Sequence, residues 1–221
     1  MKIIGHIRTD FPEKFGLPRQ SGLVPELRGR IVFLPEYRVP AALRGIEGFS
    51  HIWLLWEFSD AVRSTWSPTV RPPRLGGNTR MGVFATRSPF RPNPIGLSCV
   101  RLDAVEYGAP DGPALCVSGV DMRDNTPLYD IKPYLPAADC HPEASGGFAV
   151  AAALHTLLVE LPEELAAKLS PEEAKALCAL LAEDPRPGYS NDPERIYGFS
   201  FAGHAIRFTV NGETLTVRSV T

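Results

Sequence analysis

The chain has 221 residues, of which 44% are hydrophobic and 22% are charged, and its formal net charge is −2. This hydrophobic fraction suffices for a packed core and excludes a mainly disordered chain. No segment approaches the ~20 consecutive apolar residues of a membrane helix, and the first residues lack the apolar core of a signal peptide, so we expect a soluble, cytoplasmic protein.

Frequent prolines and glycines divide the first part of the chain into short apolar segments, which is typical of many short β-strands. The chain contains 22 prolines and 19 glycines, and it shows no internal repeat. The predicted strands of this part are Lys2–Arg8, Arg30–Leu34, Phe49–Phe58, Thr79–Thr86, Ile95–Val105, Ala114–Val120 and Pro127–Ile131.

The pattern changes after Pro136. Residues 137–147 are mostly small or polar and predict a linker. Two helices are predicted beyond it, Pro162–Lys168 and Pro171–Glu183, the second with Ser170 as its N-cap. The segment Phe148–Leu161 fits a strand or a helix, and we favour a strand because a proline follows it.

The end of the chain predicts three further strands and a hairpin. Asn211-Gly212 is a strong signal for a two-residue turn between antiparallel strands. The strands are Ile196–Phe201, Ala205–Val210 and Thr214–Val220. We therefore predict a mainly β domain over residues 1–140 and a smaller α+β domain over residues 148–221.

Positive charge is concentrated in the middle of the chain. No Asp or Glu occurs between Ala61 and Leu102, a segment with seven arginines, whereas residues 1–60 sum to +1 and residues 103–221 to −10. Arginine binds phosphates and base edges bidentately, and the interleaved Trp66, Phe84 and Phe90 resemble surfaces that hold unstacked nucleotides. This pattern favours a polyanion or nucleotide site. The alternative is a set of scattered arginines that pair with acids from elsewhere.

Two segments could display functional side chains. Residues 86–96 contain three prolines, so their arginines would be held on a stiff loop, unless the segment is merely a rigid turn between strands. Asp130 and Lys132 lie two residues apart on a predicted strand and therefore point to one face. They could form an exposed ion pair, or bind a polar ligand with Asp130 accepting a proton or an amino group.

Other kinds of site find little support in the sequence. The four cysteines include no C-x-x-C pair and the five histidines show no metal-ligand spacing, so we predict no metal site. No phosphate-binding P-loop or dinucleotide fingerprint is present, which argues against a Rossmann-type cofactor domain.

The sequence resembles the tRNA adenine-N6-methyltransferase O family. The resemblance rests on RPPRLGGNTRMGVFATRSPFRPNPIG at 71–96, PRQ at 18–20, FSHIW at 49–53, DIKPYLP at 130–136 and DPRP at 184–187. These motifs extend over nearly the whole chain in the family's order. The resemblance implies a small β-barrel that uses S-adenosylmethionine to methylate N6-threonylcarbamoyladenosine, beside the anticodon of threonine tRNA, and that acts as a homodimer.

The resemblance also implies roles for individual residues. The cofactor site would be lined by Pro18, Arg19, Gln20, Phe58, Ser59, Arg87, Leu97, Thr126, Pro127 and Leu128. We further hypothesise that Arg71, Arg74, Arg80 and Arg91 hold anticodon-loop phosphates. Asn93, Asp130 and Lys132 would orient the modified base, with Asp130 as the candidate acceptor of the N6 proton.

Two positions depart from the family pattern. Asn125 stands where a Gly is expected, and because Asn tolerates the left-handed conformation we expect the turn to be kept. Ser59 stands where His is common, so the resemblance does not support a role for that imidazole. Two other functions are left open: a non-catalytic RNA-binding module of the same fold, and a related methyltransferase with another substrate.

Overall fold

The computed structural model describes residues 1–72, 75, 79–149, 156–186 and 192–221. Six antiparallel strands close into a barrel in the order β1-β2-β7-β6-β3-β8. These strands are β1 Gly5–Thr9, β2 Arg28–Phe33, β3 His51–Glu57, β6 Ile95–Glu106, β7 Ala114–Ser118 and β8 Thr126–Pro133. A separate two-stranded ribbon pairs β4, Thr69–Val70, with β5, Met81–Gly82.

Buried and outward-facing side chains alternate along the strands, and the buried ones fill the barrel. In β3, the side chains of Ile52, Leu54 and Trp56 are buried inside, while those between them face outward. Closure of the sheet leaves no exposed strand edge within the barrel, because each of the six strands pairs on both sides. The predicted β-barrel is confirmed.

In its described residues, the C-terminal region contains a four-stranded sheet, in the order β10-β11-β12-β9, and two helices. Its elements are β9 Leu158–Glu160, α2 Glu163–Ala166, α3 Pro171–Ala182, β10 Tyr197–Phe201, β11 His204–Asn211 and β12 Thr214–Val220. Ser170 and Glu173 form a capping box at the start of α3, which confirms the predicted N-cap. Gly212 has a positive φ of 59° in the predicted hairpin.

Two sequence predictions differ from the structure. Thr79–Thr86 was expected to form one strand, but only Met81–Gly82 pairs, and a 3-10 turn follows at Val83–Ala85. The pairing is short because Pro68 and Pro72 flank the facing strand, and a proline has no N–H with which to extend the ladder. In Phe148–Leu161 the strand is confined to Leu158–Glu160, and residues 150–155 lie outside the described ranges.

The predicted linker carries one short helix, α1 Pro136–Asp139, and its described residues 137–147 are exposed. Within the described ranges, no helix combines the length and the apolar composition that crossing a membrane requires.

The loops that carry most of the predicted cofactor residues lie at one rim of the barrel. Antiparallel pairing brings the ends of β1, β3 and β7 together with the starts of β2, β6 and β8. The loops 10–27 and 119–125 and the two ends of the segment 58–94 therefore meet at this rim, although they are far apart in sequence.

Candidate cofactor and RNA site

A contact between two rim loops joins two of the predicted cofactor residues. The guanidinium of Arg87 donates a hydrogen bond to the side-chain oxygen of Gln20, across 67 residues of sequence. Arg87 is exposed and Gln20 is half-buried. The structure therefore brings the 18–20 motif and the arginine-rich loop to one place.

A chain of hydrogen bonds leads from the barrel interior to the same loops. The indole N–H of Trp56 donates to the hydroxyl of Ser98 at 2.9 Å, and that hydroxyl donates to Asp121 at 2.6 Å. The backbone N–H of Ser21 also bonds the Asp121 carboxylate. Phe58, a predicted cofactor residue, packs on Trp56 with ring centroids 4.2 Å apart. It therefore lies beside the first member of this series of hydrogen bonds.

Further contacts connect the remaining rim segments. Arg123 forms an ion pair with Asp60 at 3.0 Å, and its carbonyl accepts a hydrogen bond from the Thr126 hydroxyl at 2.7 Å. Through these bonds Asp60, in the loop that follows β3, is connected to the start of β8. Asn125 has φ 62°, so the turn expected before Thr126 is kept.

Asn93 lies next to this group. The carbonyl of Pro94 accepts a hydrogen bond from the Phe58 N–H at 2.8 Å, which places the end of the 86–94 loop against the end of β3. Asn93 itself is exposed. Three predicted cofactor residues are less exposed than Asn93. Pro127 is half-buried, Pro18 is buried, and Leu128 is fully buried in the barrel core.

The C-terminal region holds the 18–20 motif from outside the barrel. Arg19 donates hydrogen bonds to the carbonyl oxygens of Asp184, at 2.9 Å, and Arg186, at 3.3 Å. Asp184 and Arg186 form a well-buried, bidentate ion pair at 2.8 and 2.9 Å. Burial alone would raise the pKa of Asp184, but the hydrogen bonds and charge of Arg186 lower it below its usual range.

Leu97, Asp130 and Lys132 lie on the outer face of the barrel rather than in its interior. Leu97 pairs with Leu55, and Leu55 pairs with Asp130, so the two predicted residues flank Leu55 in one row across β6, β3 and β8. Asp130 and Lys132 share one face, as predicted, and form an exposed ion pair at 3.1 Å.

The arginines proposed for phosphate binding differ in their surroundings. Arg71 and Arg80 are exposed, and Arg80 donates to the Thr69 hydroxyl at 2.7 Å. Arg91 is half-buried and donates to the Thr86 carbonyl at 3.2 Å, so it also stabilises its own loop. Arg74 lies outside the described residues.

Exposed aromatic side chains accompany these arginines. Trp66 and Phe84 are 51% and 72% exposed, and their ring centroids lie 6.0 Å apart. The guanidinium of Arg63 lies over the ring of Phe90, 4.0 Å from its centroid. Exposed aromatic rings interleaved with arginines are typical of surfaces that bind single-stranded nucleic acid, and no Asp or Glu lies between Ala61 and Leu102 in the sequence.

Sequence reasoning missed Asp121 and Ser98. Burial raises the pKa of Asp121 to about 6, although the Ser98 hydroxyl, the Ser21 N–H and the charge of Arg87 favour the ionised form. The available signal was a lone carboxylate between Val120 and Met122, both of which are fully buried. An acid at such a position needs a specific reason to be there.

A shallow groove of about 360 Å³ lies elsewhere, near the far end of β6. It is lined by Pro40, Ala41, Arg44, Gly45, Glu47 and Tyr107. Tyr107 directly follows β6 and is ten residues from Leu97, near the other end of this strand, so roughly 30 Å separates the groove from the rim loops. None of the predicted functional residues lines it.

Comparison with known proteins identifies the family of the chain. Residues 6–140 match the tRNA-methyltransferase O N-terminal domain, and residues 155–221 match the TrmO C-terminal domain. The tRNA (adenine(37)-N6)-methyltransferase of Escherichia coli is 45% identical over 197 residues, which are 86% of this chain and 83% of that protein.

Two further relatives come from Pseudomonas aeruginosa. One, 44% identical over 88% of this chain and 85% of its own length, has a name that places it among the S-adenosylmethionine-dependent methyltransferases. The other is a crystal structure of TrmO, 35% identical, with a TM-score of 0.78 over 99% of this chain and 97% of that one. From its barrel, its rim site and these matches, we conclude that the chain belongs to the tRNA-methyltransferase O family.

Proposed function

We propose that this protein transfers the methyl group of S-adenosylmethionine to N6 of adenosine 37 in tRNA. The finer substrate we propose is N6-threonylcarbamoyladenosine in threonine tRNA, and we propose that a homodimer carries out the reaction. The observation that supports this function best is the contact of Arg87 with Gln20, because it unites two family motifs that are 67 residues apart. The relative from E. coli carries the name of this activity.

The rim residues fit the chemistry of S-adenosylmethionine, which supplies an electrophilic methyl group on a sulfonium. Phe58 offers a half-buried aromatic ring for a purine base. Arg87 and Gln20 offer charged and neutral hydrogen-bonding groups for a carboxylate or an amine. Displacement at a methyl group needs little covalent help, so holding the two reactants in line could supply ~7–11 kcal/mol.

The arginine-rich segment fits an RNA loop. Arg71 and Arg80 present exposed guanidinium groups to phosphates, and Trp66 with Phe84 offers rings on which unstacked bases can stack. Stacking of this kind contributes about 1–3 kcal/mol per base. The absence of acids between residues 61 and 102 keeps the potential of this segment positive.

We further propose that Asn93, Asp130 and Lys132 orient the modified adenine. Lys132 could pair with the carboxylate of a threonylcarbamoyl group. The ion pair between Lys132 and Asp130 would then be broken, and the Asp130 carboxylate would be free to accept the N6 proton. The present ion pair of 3.1 Å shows that these two side chains are within reach of each other. Asp130→Asn should abolish turnover and leave cofactor affinity unchanged; turnover like that of the wild type would reject the proton-acceptor role.

The experiment that tests the function is methyl transfer from tritiated S-adenosylmethionine to two threonine tRNAs, one with and one without the threonylcarbamoyl group. Label in the modified tRNA alone supports the full proposal. Label in both supports adenine methylation and rejects the finer substrate. Cofactor binding without label in either tRNA favours a methyltransferase with another substrate, and no cofactor binding by the folded protein favours an RNA-binding module.

The phosphate-binding role can be tested with two matched arginines. Arg80 and Arg218 are both exposed and both donate to a threonine hydroxyl, at 2.7 and 3.0 Å. Arg80→Ala should weaken tRNA binding and reduce the slope of log affinity against log salt by about 0.7–0.9 for a lost phosphate contact. Arg218→Ala should leave the slope unchanged. Equal slopes for both variants would remove Arg80 from the phosphate-binding set.

A further inference from the structure

Asp121 lies where three rim segments meet. Its carboxylate accepts from the Ser98 hydroxyl on β6 at 2.6 Å and from the backbone N–H of Ser21. Arg87, on the 86–94 loop, lies close enough to favour the charged carboxylate. Ser21 follows the 18–20 motif directly, so the Asp121 side chain connects this motif to β6 of the barrel.

The apolar surroundings of Asp121 make ionisation of its carboxylate unfavourable. Its neighbours Val120 and Met122 are 1% and 0% exposed, and burial penalises the charged form of the carboxylate. A charged group kept in such a place is more typical of a functional site than of a structural one.

Ser98 is itself held in place. Because the indole N–H of Trp56 donates to its oxygen at 2.9 Å, the hydroxyl hydrogen of Ser98 is directed to Asp121. Trp56 is fixed inside the barrel against Gly96, where even a methyl group would lie 2.1 Å from the indole. The hydrogen-bond donor to Asp121 is thus positioned by the rigid core of the barrel.

We propose that Asp121 is a positioning residue for the cofactor site: its ionised carboxylate holds the backbone at Ser21 and the guanidinium of Arg87, so that Gln20 and Arg87 face the cofactor together. The inference rests on the proposed function, since it assigns Gln20 and Arg87 to the cofactor. No family motif assigned Asp121 this role.

The proposal predicts that cofactor binding depends on pH. Burial raises the pKa of Asp121 to about 6, against the opposing influence of Ser98, Ser21 and Arg87. Below that pH the carboxylate becomes protonated, and its attraction for Arg87 is lost. If only the protein with an ionised Asp121 binds the cofactor, the dissociation constant for S-adenosylmethionine at pH 5 should be about tenfold higher than at pH 8.

The test is calorimetric titration of the full chain with S-adenosylmethionine between pH 5 and 8. The wild type should lose about tenfold in affinity toward pH 5. Asp121→Asn should bind weakly at every pH, with no change across this range. Asp124→Asn is the matched control, because Asp124 lies in the same loop and accepts from the Thr9 N–H at 3.1 Å; it should keep the wild-type profile.

Thermal unfolding of each variant separates positioning from folding, since an intact fold with weak binding supports the proposal. A wild-type profile that is flat, or an Asp121→Asn variant with wild-type affinity and profile, overturns this inference while leaving the proposed function standing. Absence of cofactor binding by the wild type at pH 8 overturns the proposed function and this inference with it.

Discussion

Two loops of the same rim are held in place by different means. Residues 10–21, here the 10–21 loop, are fixed by the C-terminal region and by Asp121. Residues 86–94, here the 86–94 loop, are fixed largely by their own prolines and hydroxyl side chains. The loops meet at the contact of Arg87 with Gln20, so the proposed cofactor site joins a loop with distant supports to one with local supports.

The supports of the 10–21 loop come from the far end of the sequence. Phe11 packs on Phe201 with ring centroids 5.3 Å apart, and both side chains are 1% exposed. The carboxylate of Glu13 accepts from the Ser200 N–H at 2.8 Å. With the contact of Arg19 to residues 184 and 186, these bonds make the C-terminal region part of the support of the site.

Most hydrogen bonds of the 86–94 loop join residues that are close in sequence. Thr86 donates to the Val83 carbonyl at 2.9 Å and accepts from the Ser88 N–H at 3.3 Å, and Ser88 accepts from the Phe90 N–H at 3.2 Å. Prolines at positions 89, 92 and 94 fix φ at three further points. Disturbance of the C-terminal region should therefore affect the first loop and spare the second.

The largest effect is expected from Gly16→Ala. Gly16 has φ 94°, and an added methyl group would lie 2.5 Å from the Phe199 ring. The strained backbone costs about 1–2 kcal/mol and the overpacking about 1–3 kcal/mol, so the free energy of unfolding should fall by about 2–5 kcal/mol. Cofactor affinity should fall as well, because residues 18–20 follow directly.

Gly22→Ala is the control for this change. Gly22 has φ 79°, but no atom lies within 4 Å of its added methyl group. It should therefore show the backbone cost alone, about 1–2 kcal/mol. Urea denaturation measures both variants; equal losses would mean that the contact with the C-terminal sheet does not support the loop.

A second expected effect is a gain in stability. Since burial raises the pKa of Asp121 from 3.8 to about 6, its ionised form costs the folded state up to about 3 kcal/mol. The folded wild type binds more protons than the unfolded chain between these two values, so its stability falls as pH rises from 4 to 6. Asp121→Asn should be more stable than the wild type above pH 6 by up to that amount.

This gain should disappear below pH 4, where both chains carry a neutral group at position 121. The measurement is the difference in unfolding free energy between variant and wild type at several pH values. Asp124→Asn serves again as the control and should show no such gain. A stability difference that does not change with pH would contradict the burial of a charged carboxylate.

The same contrast between local and distant supports explains what could be predicted from the sequence. The left-handed turn at Asn125 and the hairpin at Asn211-Gly212 depend on neighbouring residues, and both are found in the structure. The β-barrel came from family motifs and is likewise confirmed.

What the sequence could not predict depends on contacts between distant residues. Ser98 and Asp121 are 23 residues apart, and Arg19 and Asp184 are 165 apart. No local pattern marks such pairs, because only the closed barrel and the docked C-terminal sheet bring them together. The predicted strand Thr79–Thr86 was wrong for a related reason: a strand extends only as far as its partner does.

The smallest effect is expected from Thr86→Val, which keeps the shape of the side chain and removes its hydroxyl. Two hydrogen bonds of the 86–94 loop are lost, at a net cost of about 0.5–1.5 kcal/mol each, but the prolines continue to restrict the backbone. Ser88→Ala, which removes one hydrogen bond, is the matched control and should cost about half as much. Cofactor affinity, measured by calorimetry, should stay within about twofold of the wild type, because the distant supports of Gln20 are untouched. A tenfold loss of affinity in Thr86→Val would instead show that the local supports of one loop also determine the position of the other.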